Sequence, residues 1–216
     1  MICGVDEAGK GPVLGPLVVA AVAVKNATQI ENLGIKDSKL LTPKKRKELA
    51  KLIKEKYDYA VEVIEAETVD IYRRQNKLNE LNREAFERVI SKLNPNVAYV
   101  DAADVNEDRF GKQIKEKLTN EKDTDVISMH KADAKIGVVA AASIIAKETR
   151  EGEIKKLKAE IGDFGSGYPS DERTIKFLKT FYADNNRWPT GTRKSWKTLE
   201  RIRPVKTLDD FGENND

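Results

Sequence analysis

Apolar and polar positions along this 216-residue chain fall into short apolar runs and longer amphipathic stretches. Five apolar or alternating runs predict β-strands at residues 1–6, 14–24, 57–65, 96–101 and 125–129. Only a few turn residues separate the first two runs, so these are expected to pair as an antiparallel hairpin. The runs together predict a sheet at the centre of the molecule.

Amphipathic spacing predicts the helices around that sheet. Thr42 and Pro43 stand in the favoured N-cap and N1 positions of a basic helix that runs to Lys56. Further helices are predicted at 67–93, 134–161 and 172–182 and from residue 194 onward, with loops at 102–124 and 163–171. Because the later strands follow helical or loop crossovers, a mixed sheet is expected.

Composition narrows the class of protein. The chain is long enough for one sizeable core, and the apolar run 13–24 is too short for a membrane span and contains Gly15 and Pro16. The single cysteine, Cys3, cannot form an internal disulfide, and no signal peptide precedes it, so a cytoplasmic protein is expected. With His130 as the only histidine, a metal centre built on cysteine or histidine is excluded.

Positive charge is concentrated in two segments, although the net charge is only +3. Residues 36–56 contain nine Lys or Arg against three Asp or Glu, and residues 187–206 contain seven against one. Such segments are typical of a local anion-binding surface. The alternative is that each is a solvated helix face.

Four acidic residues stand where predicted elements begin or end. Asp6 and Glu7 end the first strand, Asp101 ends the fourth, and Asp133 begins the long helix after the fifth. Taken singly, each could be a turn former or a helix cap, the reading given to Asp104, Asp123 and Asp125. If strands one and four are neighbours, the four carboxylates converge into an all-oxygen site that suits Mg²⁺ or Mn²⁺.

Six motifs in order carry a family resemblance. They are Asp6-Glu7-Ala8-Gly9-Lys10-Gly11-Pro12, Asp37-Ser38-Lys39, Val100-Asp101, Lys131-Ala132-Asp133, the segment 139–147 and Gly167-Tyr168-Pro169-Ser170-Asp171. Together they resemble ribonuclease HII of the archaeal type, over residues 3 to about 196. The resemblance implies an α/β fold with a ribonuclease H-like mixed five-stranded sheet flanked by helices and a C-terminal helical extension.

The resemblance also implies domain boundaries and an activity. Residues 1–162 would form the catalytic core, 163–206 a helical substrate-binding portion, and 207–216 a disordered acidic tail without a recognisable clamp-binding motif. The implied enzyme is a monomeric, metal-dependent endonuclease without a membrane association. It would cut the RNA strand of RNA–DNA hybrids and duplex DNA on the 5′ side of a single ribonucleotide, leaving 3′-hydroxyl and 5′-phosphate ends.

Three alternatives are weighed against this hypothesis. A non-catalytic hybrid-binding protein of the same fold would be expected to lack at least one of the four acids, and all four are present. Ribonuclease HIII would be expected to carry an additional N-terminal domain, whereas here the acidic motif begins at residue 6. A nucleotide-binding phosphate loop would need Gly-x-x-x-x-Gly-Lys-Ser/Thr before a helix, which is not found.

Roles for individual residues follow from the resemblance. The catalytic acids of the family, which hold two divalent cations, match Asp6, Glu7, Asp101 and Asp133. Asp6 would bind both cations. Asp133 would bind the cation on the nucleophile side together with Asp6, and Glu7 and Asp101 would hold the second cation. Two such ions can activate a water and stabilise the leaving oxygen.

Substrate contacts are implied as well. Gly9-Lys10-Gly11 matches a loop that usually reads Gly-Arg-Gly in the family, in which backbone amides approach the ribose 2′-hydroxyl. Lysine at the middle position keeps the positive charge but lacks the planar, two-pronged guanidinium of arginine. Tyr168 matches the tyrosine that reads the junction between ribonucleotide and deoxyribonucleotide, and it could otherwise be a packing anchor. The candidates for phosphate contacts are Lys39, Lys131, Lys147, Arg193 and Lys194.

Overall fold

A five-stranded mixed sheet lies at the centre of the computed structural model, which describes residues 1–31, 33–35, 41–118 and 123–203. Its strands are β1 (Ile2–Ala8), β2 (Leu17–Val24), β3 (Asp58–Ile64), β4 (Val97–Asp101) and β5 (Asp125–Met129). The spatial order is β3-β2-β1-β4-β5. The predicted hairpin of β1 and β2 is confirmed, β3 pairs antiparallel with β2, and β4 and β5 add in parallel on the other side of β1.

Helices cover both faces of the sheet. They are α1 (Thr28–Glu31), α2 (Pro43–Lys56), α3 (Ala66–Arg74), α4 (Leu78–Leu93), α5 (Glu107–Lys115), α6 (Ala132–Lys135), α7 (Gly137–Ile161), α8 (Glu172–Asn185) and α9 (Lys197–Ile202). Side chains of α4 and α5 form one hydrophobic cluster with alternate residues of the sheet, and side chains of α1, α2 and α7 form a second on the other face. No helix in the described ranges combines the length and apolar character needed to span a membrane.

Helix α7 lies very close to the central strand because β1 contains a glycine. A methyl group on Gly4 would stand 2.3 Å from the backbone carbonyl carbon of Val138. The alanine-rich first half of α7 is buried, as its small apolar side chains predict. This contact sets how near the face of α7 comes to the end of β1.

Three predicted elements differ in the structure. The prediction of one helix over 67–93 is wrong, because Asn76 takes a left-handed conformation (φ 58°) and separates α3 from α4. The predicted helix from residue 134 is two helices, α6 and α7, since Ile136 is extended (φ −123°). The segment between β4 and β5 was predicted as a loop but contains α5, which Asn106 caps by accepting a hydrogen bond from the Arg109 amide.

The C-terminal helices belong to the same body as the sheet. Phe164, Leu178, Trp196 and Leu199 are buried in the cluster that contains Val5 of β1 and Phe86 of α4. Leu14, which was predicted to begin the second strand, instead forms an isolated antiparallel bridge with Thr192. The predicted acidic tail at 207–216 lies outside the described residues, as do residues 36–40 at the start of the basic segment 36–56.

Candidate active site

Sheet register brings the first acids together. The parallel pairing of β1 with β4 ends at Val5 and Val100, so Asp6 and Asp101 are the next residues on neighbouring strands. Crevices at the carboxyl ends of parallel strands are the usual ligand sites of α/β sheets. The neighbouring positions of strands one and four, on which the sequence argument depended, are therefore confirmed.

The fourth acid reaches the same place through β5. Asp101 pairs with Met129 at the last position of β5, and four residues later Asp133 lies buried in α6. A carboxylate oxygen of Asp101 (Oδ1) accepts a hydrogen bond from the Ala132 amide at 2.8 Å. This bond fixes the start of α6 and with it the position of Asp133.

The acidic side chains influence one another's ionisation. Burial, opposed by the adjacent Ser143 hydroxyl and assisted by the charges of Asp101 and Asp133, raises the pKa of Asp6 to about 7. Burial, with the charges of Asp6 and Asp101, raises the pKa of Glu7 to about 8 against the influence of Lys10. The acidic side chains of the site therefore lie close together where little solvent reaches them.

The loop 9–11 follows the acids directly. Gly9 has φ 90°, and a methyl group there would meet Nε of Arg150 at 2.5 Å and the Pro16 carbonyl at 2.6 Å. The ammonium of Lys10 donates a hydrogen bond to the Ala103 carbonyl at 2.6 Å and lies 4.0 Å from Oε1 of Glu7. Both are contacts that a compact ammonium group can make without a planar fork.

Tyr168 lies on the other side of this loop. The Gly167 carbonyl accepts hydrogen bonds from the amides of Val13 and Leu14 at 2.8 and 3.2 Å, which ties the two loops together. A methyl group on Gly11 would lie 3.8 Å from Cε1 of the tyrosine ring, and the Arg150 guanidinium stands 5.3 Å from the ring centroid. Tyr168 is 38% exposed, so part of the residue remains accessible to a ligand.

The basic candidates separate into two groups. Lys147 lines the cleft that Glu7, loop 9–11 and Tyr168 also line, and the side chains of Lys131 and Lys194 are exposed. Lys39 lies outside the described residues. Arg193 is fully buried, with its guanidinium on three backbone carbonyls, so the structure gives it another role than the predicted phosphate contact.

Two cationic residues of the cleft were missed in the sequence. Arg46 of α2 lines the cleft and forms an ion pair with Glu148 at 2.5 Å, and Arg150 of α7 lies beneath loop 9–11. The spacing of Ser143, Lys147 and Arg150 could have revealed the second, since residues three and four apart share one helix face. Arg46 was concealed within a run of four consecutive basic residues.

Comparison with known proteins accords with this arrangement. Residues 3–199 match the family described as ribonuclease HII. Ribonuclease HII of Thermococcus onnurineus (strain NA1) is 48% identical over 205 residues, which are 93% of this chain and 89% of that protein.

Two solved structures are similar over almost their whole length. Ribonuclease HII of Archaeoglobus fulgidus, solved in a complex with PCNA, has a TM-score of 0.86 at 44% identity and covers 98% of this chain and 100% of its own. Ribonuclease H2 of Pyrococcus horikoshii OT3 has a TM-score of 0.85 at 42% identity, with 99% of both chains covered. The chain therefore belongs to the archaeal branch of the ribonuclease HII family, the type 2 ribonuclease H endonucleases that act on RNA–DNA hybrids.

Proposed function

We propose that this enzyme cuts duplex DNA on the 5′ side of a single ribonucleotide, as well as the RNA strand of hybrids, with two divalent cations held by Asp6, Glu7, Asp101 and Asp133. The observation that carries the proposal is the meeting of three features in one place. The acids at the ends of β1 and β4 adjoin the glycine loop 9–11, and Tyr168 stands on the far side of that loop. Reaction chemistry and ribonucleotide recognition would thus share one short segment.

The acids fit divalent cations by their chemistry. Oε2 of Glu7 is buried and has no hydrogen-bond partner within the described part of the chain, and Asp6 and Glu7 have raised pKa values. Hard cations with oxygen ligands relieve this kind of repulsion. Within the described residues no three Asp, Glu, His or Cys side chains are arranged so that they could hold an ion together.

Each residue then has a defined task. Bound cations would supply an activated water and stabilise the departing 3′-oxygen. The hydrogen bond from the Ala132 amide orients Asp101, and the Ser143 hydroxyl favours the ionised form of Asp6. Lys147 and Arg46 face the cleft, where they can hold the phosphates on either side of the cut.

Recognition of the ribonucleotide falls to the loop and the tyrosine. The exposed part of Tyr168 can stack on the sugar or base beside the cut, with its hydroxyl near the 2′-oxygen that only RNA carries. The exposed Lys194 places a positive charge in the C-terminal segment, which supports a substrate-binding role for residues 163–203.

The enzyme is tested with a DNA duplex that holds one ribonucleotide, incubated with Mg²⁺, Mn²⁺ or EDTA. We expect cleavage with the metals and none with EDTA, at the 5′ side of the ribonucleotide, and a product whose 3′ end a DNA polymerase extends directly. Uncut substrate under both metals, with tight binding retained, would overturn the proposal and favour a hybrid-binding protein.

The role of Tyr168 has a separate test. Tyr168→Ala removes the stacking surface, so cleavage at a single ribonucleotide should fall at least about tenfold, since stacking contributes roughly 1–3 kcal/mol per base. Cleavage of a long hybrid should fall much less, because it offers many equivalent positions. Tyr168→Phe is the matched control that removes the hydroxyl alone. Equal losses of Tyr168→Ala on both substrates would make the tyrosine a packing residue.

A further inference from the structure

The carbonyl groups of loop 9–11 all face two side chains from the far end of the chain. Arg193 is 0% exposed and Trp196 is 7% exposed, and we call these two side chains the carbonyl clamp. The clamp's hydrogen bonds run from Arg193 Nη2 to Gly9 O (2.6 Å), from Arg193 Nη1 to Lys10 O (3.0 Å) and from Trp196 Nε1 to Gly11 O (3.1 Å). A further bond joins Arg193 Nε to Gly15 O at 3.0 Å.

Holding these carbonyls inward turns the neighbouring amides outward. In a trans peptide the N–H points away from the C=O of the same unit, and the described residues contain no cis peptide. The carbonyls of Gly9 and Lys10 share peptide units with the amides of Lys10 and Gly11, while Pro12 has no N–H. No group in the described part of the chain accepts a hydrogen bond from these two amides, and both residues line the active-site cleft.

The clamp itself is fixed by α3. Buried Asp70 accepts hydrogen bonds from the amide of Lys194, from the amide of Ser195 at 3.0 Å and from the Ser195 hydroxyl at 2.6 Å. Arg73 stacks on the Trp196 ring at 4.3 Å, and Arg193 lies 5.1 Å from the same ring centroid. An arginine in this setting is a rigid multiple donor, since its fork is planar and pre-organised.

We propose that Arg193 and Trp196 are positioning residues for ribonucleotide recognition: by holding the loop carbonyls, they direct the Lys10 and Gly11 amides at the 2′-hydroxyl oxygen of the ribonucleotide. Neither side chain touches the nucleic acid. This inference rests on the proposed function, because it assigns the orientation of the loop that function uses. It makes selectivity depend on residues more than 180 positions away from the loop along the chain.

Trp196→Phe and Arg193→Lys test the inference in the full chain. Trp196→Phe keeps an aromatic ring beside Arg73 and Arg193 and removes the indole N–H that donates to the Gly11 carbonyl. Arg193→Lys keeps the positive charge and removes the planar guanidinium group. Affinities for a duplex with one ribonucleotide and for the same all-DNA duplex are measured by fluorescence anisotropy in EDTA, so that no cleavage occurs. We expect each variant to lose at least about fivefold in the affinity ratio of the two duplexes, because a directed hydrogen bond is weakened, with all-DNA affinity unchanged.

Trp188→Phe is the matched control, since Trp188 packs on Tyr182 in the same C-terminal segment and makes no contact with the loop. It should keep the wild-type ratio. Thermal melting of every variant separates a change of recognition from a loss of folding, and Trp196→Phe alone decides the matter if Arg193→Lys does not fold. Folded variants that keep the wild-type ratio would overturn this inference alone, and so would equal losses on both duplexes. A wild-type protein without preference for the ribonucleotide would overturn the proposed function with it.

Discussion

Asp101 combines two tasks that one substitution can separate. One of its oxygens accepts the Ala132 amide and shapes the start of α6, while its charge contributes to the acidic site. Asparagine has nearly the same shape and can still accept that hydrogen bond through its side-chain oxygen. The fold should therefore survive when the charge is removed.

Asp101→Asn should reduce cleavage at least about 100-fold, since even an outer partner of a metal site costs 10–100-fold. Hybrid binding in EDTA should stay within about threefold, because the basic side chains that we propose to contact phosphates are unchanged. Mn²⁺ should also raise the melting temperature of the wild type more than that of the variant, as a ligand that binds only the folded state stabilises it. Asp125→Asn, at an exposed acid of β5, is the control. Loss of hybrid binding in parallel with cleavage would contradict this division.

The two glycines of loop 9–11 are required for different reasons. Gly9 has positive φ and no room for a methyl group, whereas a methyl on Gly11 would meet only Tyr168 at an ordinary 3.8 Å. The folded chain itself therefore requires glycine at position 9. Gly11 is dispensable to the folded chain, so its small size serves whatever enters the cleft.

Gly11→Ala should therefore change the free energy of unfolding by no more than about 0.5 kcal/mol, as for an unstrained surface site. Cleavage at a single ribonucleotide should nevertheless fall at least about tenfold, equivalent to roughly 1.4 kcal/mol of lost transition-state interaction. Urea denaturation and initial cleavage rates measure the two effects. Gly9→Ala is expected to lose stability as well as cleavage, and a Gly11→Ala enzyme with wild-type rates would remove the loop from substrate contact.

At the scale of elements, the contact of α7 with β1 determines the site's depth. Gly4 permits it, because any side chain there would enter the backbone of the helix at Val138. The face of α7 that carries Ser143, Lys147 and Arg150 can then stand against the end of β1, next to the acids. Helix α7 therefore both packs against β1 and carries side chains of the candidate site.

Gly4→Ala should destabilise the protein by about 2–3 kcal/mol or more, because overpacking moves backbone rather than a flexible side chain. Gly152→Ala is the control within α7: it is exposed with nothing within 4 Å, and it should stabilise by up to about 1 kcal/mol through helix propensity. Urea denaturation compares the two. Equal stability of Gly4→Ala and the wild type would mean that α7 can move away from the strand at little cost.

Elements with strong periodicity or caps were predictable from the sequence. Helix α2, with Thr42 and Pro43 at its start, and the five strands lie where the pattern places them, except that β2 begins at Leu17 and not at residue 14. The break between α3 and α4 at Asn76 was not predicted, because one residue in the left-handed conformation leaves the apolar spacing of the two helices nearly intact. Helix α5 was not predicted, because its N-cap residue Asn106 follows Asp104 and Val105 and the segment resembles a turn.

The site was predictable for a different reason. Acids at strand ends need only the sheet order to be brought together; the sequence left the pairing of strands one and four as a condition, and the sheet order meets it. Contacts across long sequence distances carry no periodicity, so the burial of Arg193 could not be read from a basic segment. Charge alone does not distinguish a cation that faces phosphate from one that binds carbonyl groups.

For the molecule as a whole, the small net charge conceals a cationic cleft. Arg46, Lys131, Lys147 and Lys194 are the side chains proposed to meet phosphates. If each neutralises one phosphate, the logarithm of the affinity should fall against the logarithm of the salt concentration with a slope of about −3.6. Fluorescence anisotropy in EDTA between 50 and 200 mM salt measures it.

Lys147→Gln should make that slope shallower by about 0.9, the contribution of one phosphate contact. Lys92→Gln is the control, because Lys92 belongs to α4 on the other face of the sheet and pairs with Glu62. It should leave the slope unchanged. A wild-type affinity that does not respond to salt would exclude phosphate contacts as the main source of binding.

The span between Gly9 and Arg193 has a consequence for how the enzyme is made. Strand β1, the acids and loop 9–11 are synthesised first, but the loop's carbonyls find their donors only when residues 193–196 arrive. All five strands and the four acids precede residue 193, so they are synthesised before these donors. If Arg193 and Trp196 orient the loop as proposed, selectivity for the ribonucleotide is acquired last, because a chain that stops before residue 193 lacks the donors for the loop carbonyls together with the buried Trp196 and Leu199 of the core.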